Sequence, residues 1–287
     1  TESIFNGKKG LALFRKEEIA HNTATMLLWL SEAYFRVGMY EKMHAHILEA
    51  EELLSGLADY FRHAKIYYYK AQYSLQQNNV ETSLELLDKS IQNFNLSKNV
   101  TFEINALIEK LFFLLESNNT SQIDSTITKI DTLTKQVSGS YSNLIYTAMK
   151  TYVAAKNNDY NKENVDKLKE QLDSEKNNWD SFNFYLSYWY IAKTYHLKDE
   201  FDLSASCHQR SKDIIQTTSE IISGEEEKQT FLKTYYATSV MKEITSEPIS
   251  TDIPEPKVSV FAFCPSCGFK NENSFAFCPS CGNDLKQ

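Results

Sequence analysis

Four of the five cysteines lie close together near the C-terminus, in two copies of one short motif. Residues 261–268 and 275–282 both read FAFCPSCG, so each copy carries two cysteines separated by two residues. A tight turn at this spacing directs both sulfur atoms of a pair at one ion, and a short hairpin between the copies would bring the pairs together. Four thiolates around one ion form a closed structural zinc site, which leaves no open position for catalysis. We therefore expect one structural Zn²⁺ per chain, bound by Cys264, Cys267, Cys278 and Cys281.

This doubled Cys-Pro-x-Cys-Gly pattern resembles the short zinc ribbons found at the ends of many prokaryotic proteins. The resemblance implies a small zinc ribbon over residues 259–287 that draws most of its folding free energy from the metal. Residues 245–258 contain three prolines and no helical period, which predicts an extended, semi-rigid linker. The fifth cysteine, Cys207, stands alone in a predicted helix. A free thiol beside paired cysteines favours a reducing compartment, so we expect a cytoplasmic protein.

Before the linker, the sequence contains a helical repeat that is clearest at residues 27–50. Apolar residues recur there at helical spacing on both sides of Gly38, which predicts two amphipathic helices joined by a left-handed turn residue. The pattern returns about every 40 residues, with Asn-rich turns in place of Gly38, because asparagine tolerates the left-handed conformation. We predict a half repeat at 3–17, a capping helix from Glu225 to about Ile244, and between them five hairpins at 22–55, 57–96, 100–137, 140–176 and 179–222.

The repeating unit resembles a tetratricopeptide (TPR) repeat. The residues that carry the resemblance are Leu27, Leu30, Tyr34, Gly38, Tyr40 and Ala50. The resemblance implies an all-α, right-handed solenoid of TPR-like helical hairpins over residues 1–244, because each hairpin can bury its apolar stripe only against its neighbours. The spacing exceeds the 34 residues typical of that family. Longer units of this kind are similar to the helical tails of multidomain bacterial signalling proteins, such as large ATPases, kinases and adenylate cyclases.

The leading functional hypothesis is a non-catalytic scaffold that binds a protein or peptide in the concave groove of the array. Residues one turn away from the packing stripe would line that groove: Leu28, Phe35, Arg36, Lys65, Tyr68, Leu75, Ile108, Phe112, Tyr152, Trp189 and Lys193. Leu28 and Glu32 occupy the places where chaperone-binding TPR proteins carry a Lys and Asn pairing. Binding of chaperone C-terminal tails is therefore not expected.

Two alternative functions remain open at this stage. Residues 3–17 match the second helix of a repeat whose first helix is missing, and the chain opens with Thr1 rather than Met. We therefore also consider that this chain is the regulatory C-terminal tail of a larger signalling ATPase, kinase or cyclase. The other alternative is a nucleic-acid or transcription-related factor that acts through the zinc ribbon.

Composition and motifs argue against several classes of function. The formal net charge of −8 disfavours broad binding to nucleic acid or to an anionic membrane. The sequence contains no run of 18 apolar residues, so no transmembrane helix is predicted. The six histidines are scattered and no catalytic motif is present, although His196, Cys207 and His208 share one predicted hairpin. We therefore expect neither enzymatic activity nor membrane association.

Overall fold

The chain is all-helical within residues 2–137, 142–174 and 181–244, which are the residues that this computed structural model describes. These residues belong to one compact unit, Thr1–Ser246, and the remaining residues, Glu247–Gln287, form a second unit outside the described part of the chain. Elements follow in the order α1 (Glu2–Lys16), α2 (Ala20–Arg36), α3 (Tyr40–Leu53), α4 (Tyr60–Gln76), α5 (Val80–Leu96), α6 (Val100–Glu116), a 3₁₀ turn (Thr120–Gln122), α7 (Ile123–Thr134), α8 (Ser142–Lys156), α9 (Lys162–Ser174), α10 (Ser181–His196), α11 (Phe201–Ile221), α12 (Glu225–Leu232) and α13 (Tyr235–Met241). The predicted all-α class is confirmed for the described residues.

Consecutive helices pack against one another along the chain, as in a helical repeat array. The pairs α2–α3, α4–α5 and α10–α11 form the most extensive contacts, and α1 packs on α2. Contacts between α2 and α4, and between α8 and α10, join the first helices of neighbouring hairpins. None of the helices in the described residues is long and apolar enough to cross a membrane.

A left-handed residue marks the turn inside each hairpin. These residues are Gly38, Asn78, Asn118, Asn158 and Asp199, with φ angles between +52° and +73°. The predicted use of asparagine in place of Gly38 is therefore confirmed at three turns. Asparagine also helps to start the following helix, because Asn79 accepts a hydrogen bond from the backbone N–H of Thr82.

Buried serines repeat the same hydrogen bonds in two hairpins. In α4–α5, Ser83 and Ser90 donate to the carbonyl oxygens of Ala71 and Ala64, at 3.0 and 2.9 Å. In α10–α11, Ser204 and Ser211 donate to the carbonyl oxygens of Ala192 and Tyr185, at 2.9 and 2.5 Å. Each donor side chain bonds to the backbone of the partner helix, so small residues at these positions let the two helices approach closely. This repetition supports an array of equivalent hairpins.

Buried apolar side chains of the described residues form two clusters. One cluster joins α1, α2 and α3 with Ile66 and Tyr69 of α4. The other runs from α4 to α13 and includes Phe112 and Tyr236. Phe35 of α2 packs against both clusters, so it connects them. We call the surface at this junction, formed mainly by α2, α4 and α6, the inner face of the array.

The last described segment differs from the single capping helix predicted for residues 225–244. Two short helices, α12 and α13, are separated at Lys233 and Thr234, because Thr234 has extended backbone angles and caps α13 through its side chain. The segment packs on α10 and α11, as a cap of the last hairpin would. It also crosses to the inner face, where Phe231 and Tyr236 are buried. We call residues 225–241 the strap.

Candidate functional site

The inner face of the array contains a cavity of about 210 Å³. Helices α2, α4 and α6 provide most of its wall, and the strap closes one side. The lining residues are Glu32, Phe35, Arg36, Tyr40, Lys65, Tyr68, Tyr69, Phe94, Phe102, Asn105, Ile108, Glu109, Ile145, Tyr185, Phe231, Thr234 and Tyr236. Phenyl and phenol rings dominate this wall, with a few charged or amide groups among them. Such a mixture suits a ligand that is partly apolar and carries hydrogen-bonding groups.

Five of the predicted groove residues lie together at this cavity. They are Phe35, Arg36, Lys65, Tyr68 and Ile108. The other six do not line it. Leu28, Leu75 and Phe112 are each no more than 2% exposed, and they pack in the core. Helical spacing identifies a stripe next to the packing stripe, but it does not show which of its residues the neighbouring hairpin covers.

The remaining three predicted residues, Tyr152, Trp189 and Lys193, form a separate cluster on α8 and α10. The Lys193 amino nitrogen lies 4.3 Å from the centre of the Trp189 ring and 4.9 Å from that of Tyr152. It also contacts Glu116 Oε1 at 2.9 Å. Cation–π contacts and an ion pair therefore engage this lysine within the array.

Lysine and glutamate side chains face each other at the mouth of the cavity. The amino nitrogen of Lys65 lies 3.7 Å from Glu32 Oε2 and 5.0 Å from the centre of the Phe102 ring. Burial lowers the pKa of the Lys65 amino group, and the Glu32 carboxylate opposes this effect. Arg36 also reaches Glu32, at 3.2 Å, but its side chain is largely exposed. The mouth therefore presents positive and negative groups side by side.

Glu109 is a buried acid in the middle of α6. Its Oε2 atom lies 2.6 Å from the hydroxyl oxygen of Tyr236, which also lies 2.6 Å from Gln72 Oε1. Burial raises the pKa of the Glu109 carboxyl, while the side chains of Tyr236, Gln72 and Tyr68 oppose the shift. A tyrosine hydroxyl has one proton to donate, so a protonated Glu109 can donate to Tyr236 while Tyr236 donates to Gln72. The raised pKa favours that arrangement.

Gln76 of α4 holds the backbone of the strap where α12 ends. Gln76 donates from Nε2 to the carbonyl oxygen of Lys233 at 3.2 Å, and its Oε1 accepts from the backbone N–H of Tyr235 at 3.0 Å. Thr230 of α12 donates from its hydroxyl to the carbonyl oxygen of Val37 at 2.6 Å. The strap is therefore bound to the inner face through its backbone as well as its rings.

A glycine allows the strap to approach the first hairpin. A Cβ atom at Gly38 would lie 2.4 Å from the carbonyl oxygen of Thr230, closer than real Cβ contacts, and Gly38 also has φ of +73°. Glycine is thus required there for two reasons: backbone conformation and space for the strap. Sequence reasoning found the first reason and missed the second.

His44, His208 and the free cysteine are buried or partly buried in the array, where each of the two histidines has one defined partner. His44 stacks on Tyr73 with ring centres 4.0 Å apart, and His208 Nε2 lies 2.6 Å from the carbonyl oxygen of Val240. Cys207 is buried, and burial raises the pKa of its thiol to about 11, so the thiolate is disfavoured. The predicted zinc ligands, Cys264, Cys267, Cys278 and Cys281, lie outside the described residues.

Fold and site together define an all-helical protein with the sequential packing of a helical repeat array and a partly closed inner face. A scan against models of protein families finds no match for this chain, and a search of curated proteins finds no match either.

Proposed function

We propose that this chain is a non-catalytic interaction protein that binds a protein or peptide segment on the inner face of a right-handed, TPR-like solenoid. One observation carries the proposal: aromatic rings and hydrogen-bonding groups from α2, α4 and α6 converge on one cavity. Convergence of rings and a few polar groups in a concavity is the usual composition of a binding site. The serine contacts that recur in α4–α5 and α10–α11 support the repeat assignment.

The cysteine pairs support a second, separate module in this proposal. Four thiol groups in two Cys-Pro-x-Cys-Gly motifs match the ligand set of a structural Zn²⁺ site. As a zinc ribbon joined by a proline-containing linker, this module adds avidity or a second contact. It does not replace the inner face as the main binding surface, because it is small and carries few charges. We place the protein in the cytoplasm, where its free Cys207 stays reduced.

A substitution that fills the cavity tests the proposed binding surface. Asn105 lines the cavity and is only partly buried, so Asn105→Trp places a large ring in the binding space. Gln92→Trp adds the same ring to the exposed surface of α5 and serves as the matched control. Proteins captured from a cell lysate by the wild-type chain and by the control should be lost with Asn105→Trp. If every captured protein is retained by Asn105→Trp, the cavity is not the binding surface.

A further inference from the structure

The strap is bound as a peptide ligand would be. The side-chain amide of Gln76 contacts one carbonyl and one N–H of the chain break at residues 233–235, where helical hydrogen bonding is interrupted. A primary amide that pairs with a C=O and an N–H of two successive peptide units recognises backbone, whatever the side chains are.

Two aromatic side chains of the strap enter the inner face on either side of that break. Phe231 is 5% exposed and Tyr236 is 1% exposed. The Tyr236 ring lies 5.0 Å from the ring of Phe112 and 6.3 Å from that of Phe35, measured between centres. Its hydroxyl meets Gln72 and Glu109 at the base of the site. The strap therefore supplies two anchor rings, and the second ring carries a polar tip.

The fit of the strap leaves space beside it. The cavity of about 210 Å³ is bounded on one side by Phe231, Thr234 and Tyr236 themselves. At the rim, Glu226 pairs with Lys42 across 3.2 Å, but both side chains are largely exposed, and exposed ion pairs contribute little free energy. A ligand that fills the space as well could thus make more contacts than the strap does.

We propose that the strap is an intramolecular ligand, and that the partner is a segment of the same chemistry that displaces it. Such a segment has two aromatic side chains, the second of them a tyrosine, on either side of a short break in a helix. Its peptide backbone pairs with Gln76, and its tyrosine hydroxyl reaches Gln72 and Glu109. This inference rests on the proposed function, because it specifies which segment the inner face binds.

A labelled peptide with the sequence of residues 225–241 tests the proposal on the full chain. Loosening the internal strap should increase binding of the added peptide. Thr230→Val removes the hydroxyl that donates to Val37 and keeps the side-chain shape. Thr238→Val is the matched control, because within the described residues the Thr238 hydroxyl bonds only to carbonyls of the strap itself, those of Thr234 and Tyr235. Helical circular dichroism of both variants should match that of the wild type.

We expect the Thr230→Val chain to bind the peptide about two- to tenfold more tightly than the Thr238→Val chain, since one hydrogen bond contributes about 0.5–1.5 kcal/mol. A second full-chain variant, Phe231→Ala with Tyr236→Ala, should show a larger increase. A peptide with Tyr236→Phe should bind this opened chain at least tenfold more weakly, because it leaves buried polar groups unpaired. Equal binding to all four chains would overturn the proposal and make the strap a permanent part of the core.

The two proposals can fail separately in these experiments. If the peptide binds the opened chain but Asn105→Trp loses no captured protein, the strap opens and the proposed partner-binding function fails. If captured proteins depend on Asn105 but the peptide binds no chain, the inner face binds a partner and the intramolecular-ligand proposal fails. Binding of both peptides with equal affinity would also contradict the proposal, since the tyrosine hydroxyl would then have no role.

Discussion

Replacement of Gly38 by alanine separates backbone strain from contact with the strap. Gly38 and Gly56 both have left-handed backbones, with φ of +73° and +76°. An added Cβ at Gly38 would lie 2.4 Å from the carbonyl oxygen of Thr230, whereas one at Gly56 would have no atom within 4 Å. Gly56→Ala therefore measures strain alone, and Gly38→Ala measures strain together with displacement of the strap.

The expected difference follows from the hydrogen bonds that the strap would lose. Alanine in a left-handed conformation costs about 1–2 kcal/mol, so Gly56→Ala should lower the free energy of unfolding by that amount. If the strap moves away from Gly38, the Thr230 contact to Val37 and both contacts of Gln76 are lost. Three hydrogen bonds at about 0.5–1.5 kcal/mol each add about 1.5–4.5 kcal/mol. Gly38→Ala should therefore cost about 3–6 kcal/mol in total.

Urea unfolding monitored by circular dichroism gives the two free energies, and hydrogen exchange locates the change. Amides of residues 225–241 should exchange faster in Gly38→Ala than in Gly56→Ala, while those of α10 and α11 should be less affected. Equal costs for the two substitutions, with unchanged exchange in the strap, would refute the reasoning. That result would mean that the strap does not rest on Gly38 in solution.

Three further predictions concern the buried acid, the serine contacts and the metal. Glu109→Gln should remove a pH dependence of the free energy of unfolding. Burial raises the pKa of the Glu109 carboxyl. The carboxyl therefore stabilises the wild type fully below its ordinary pKa of 4.5, and this stabilisation is lost as pH rises through the raised pKa. Urea unfolding across this range should show the wild type falling relative to the variant, and parallel curves would contradict the assignment. Ser90→Ala should lower the free energy of unfolding by about 1 kcal/mol, because the buried hydroxyl bonds to α4. Ser125→Ala is the control and should change the free energy of unfolding very little, because the Ser125 hydroxyl is exposed. Similar costs for the two substitutions would argue against the role of Ser90 in joining α4 and α5. Purified protein should contain one equivalent of zinc by elemental analysis, and Cys267→Ser should lose it while helical circular dichroism stays nearly constant; protein that carries no zinc but keeps an ordered ribbon would contradict this prediction.

Local patterns were sufficient to predict the helices up to α11, but not the break between α12 and α13. The turn residues are an example: Gly38 and Asn78 stand at equivalent places, and both take the left-handed conformation that their residue types allow. The helical spacing of apolar residues and the residue types at the turns depend on residues a few positions apart, so both can be read from a single sequence. Accordingly, each of the paired helices from α2–α3 to α10–α11 falls at a place where the sequence predicts a hairpin.

The inner face could be predicted only in part, because its composition depends on contacts between distant segments. Phe112 and Phe35 have similar places in the helical pattern, yet Phe112 is covered by Trp189 of α10 and by Tyr235 and Tyr236 of the strap. No local signal shows which part of the inner face the strap will cover. One signal does lie in the sequence: Glu109 directly follows Ala106, Leu107 and Ile108, and an acid that is buried with such residues requires a buried partner.

The Glu109 network has a physical consequence for a strap that detaches. A buried carboxyl is costly because it loses its hydration, and its raised pKa expresses that cost. When Tyr236 leaves, water can reach Glu109 and Gln72, so hydration returns and offsets part of the hydrogen bonding that is lost. Apolar side chains in place of Glu109 and Gln72 would gain nothing from water and would hold the strap more firmly. The two polar side chains therefore lower the free energy that is needed to open the strap. They also restrict binding at the vacated site to segments that place a hydroxyl at the same point.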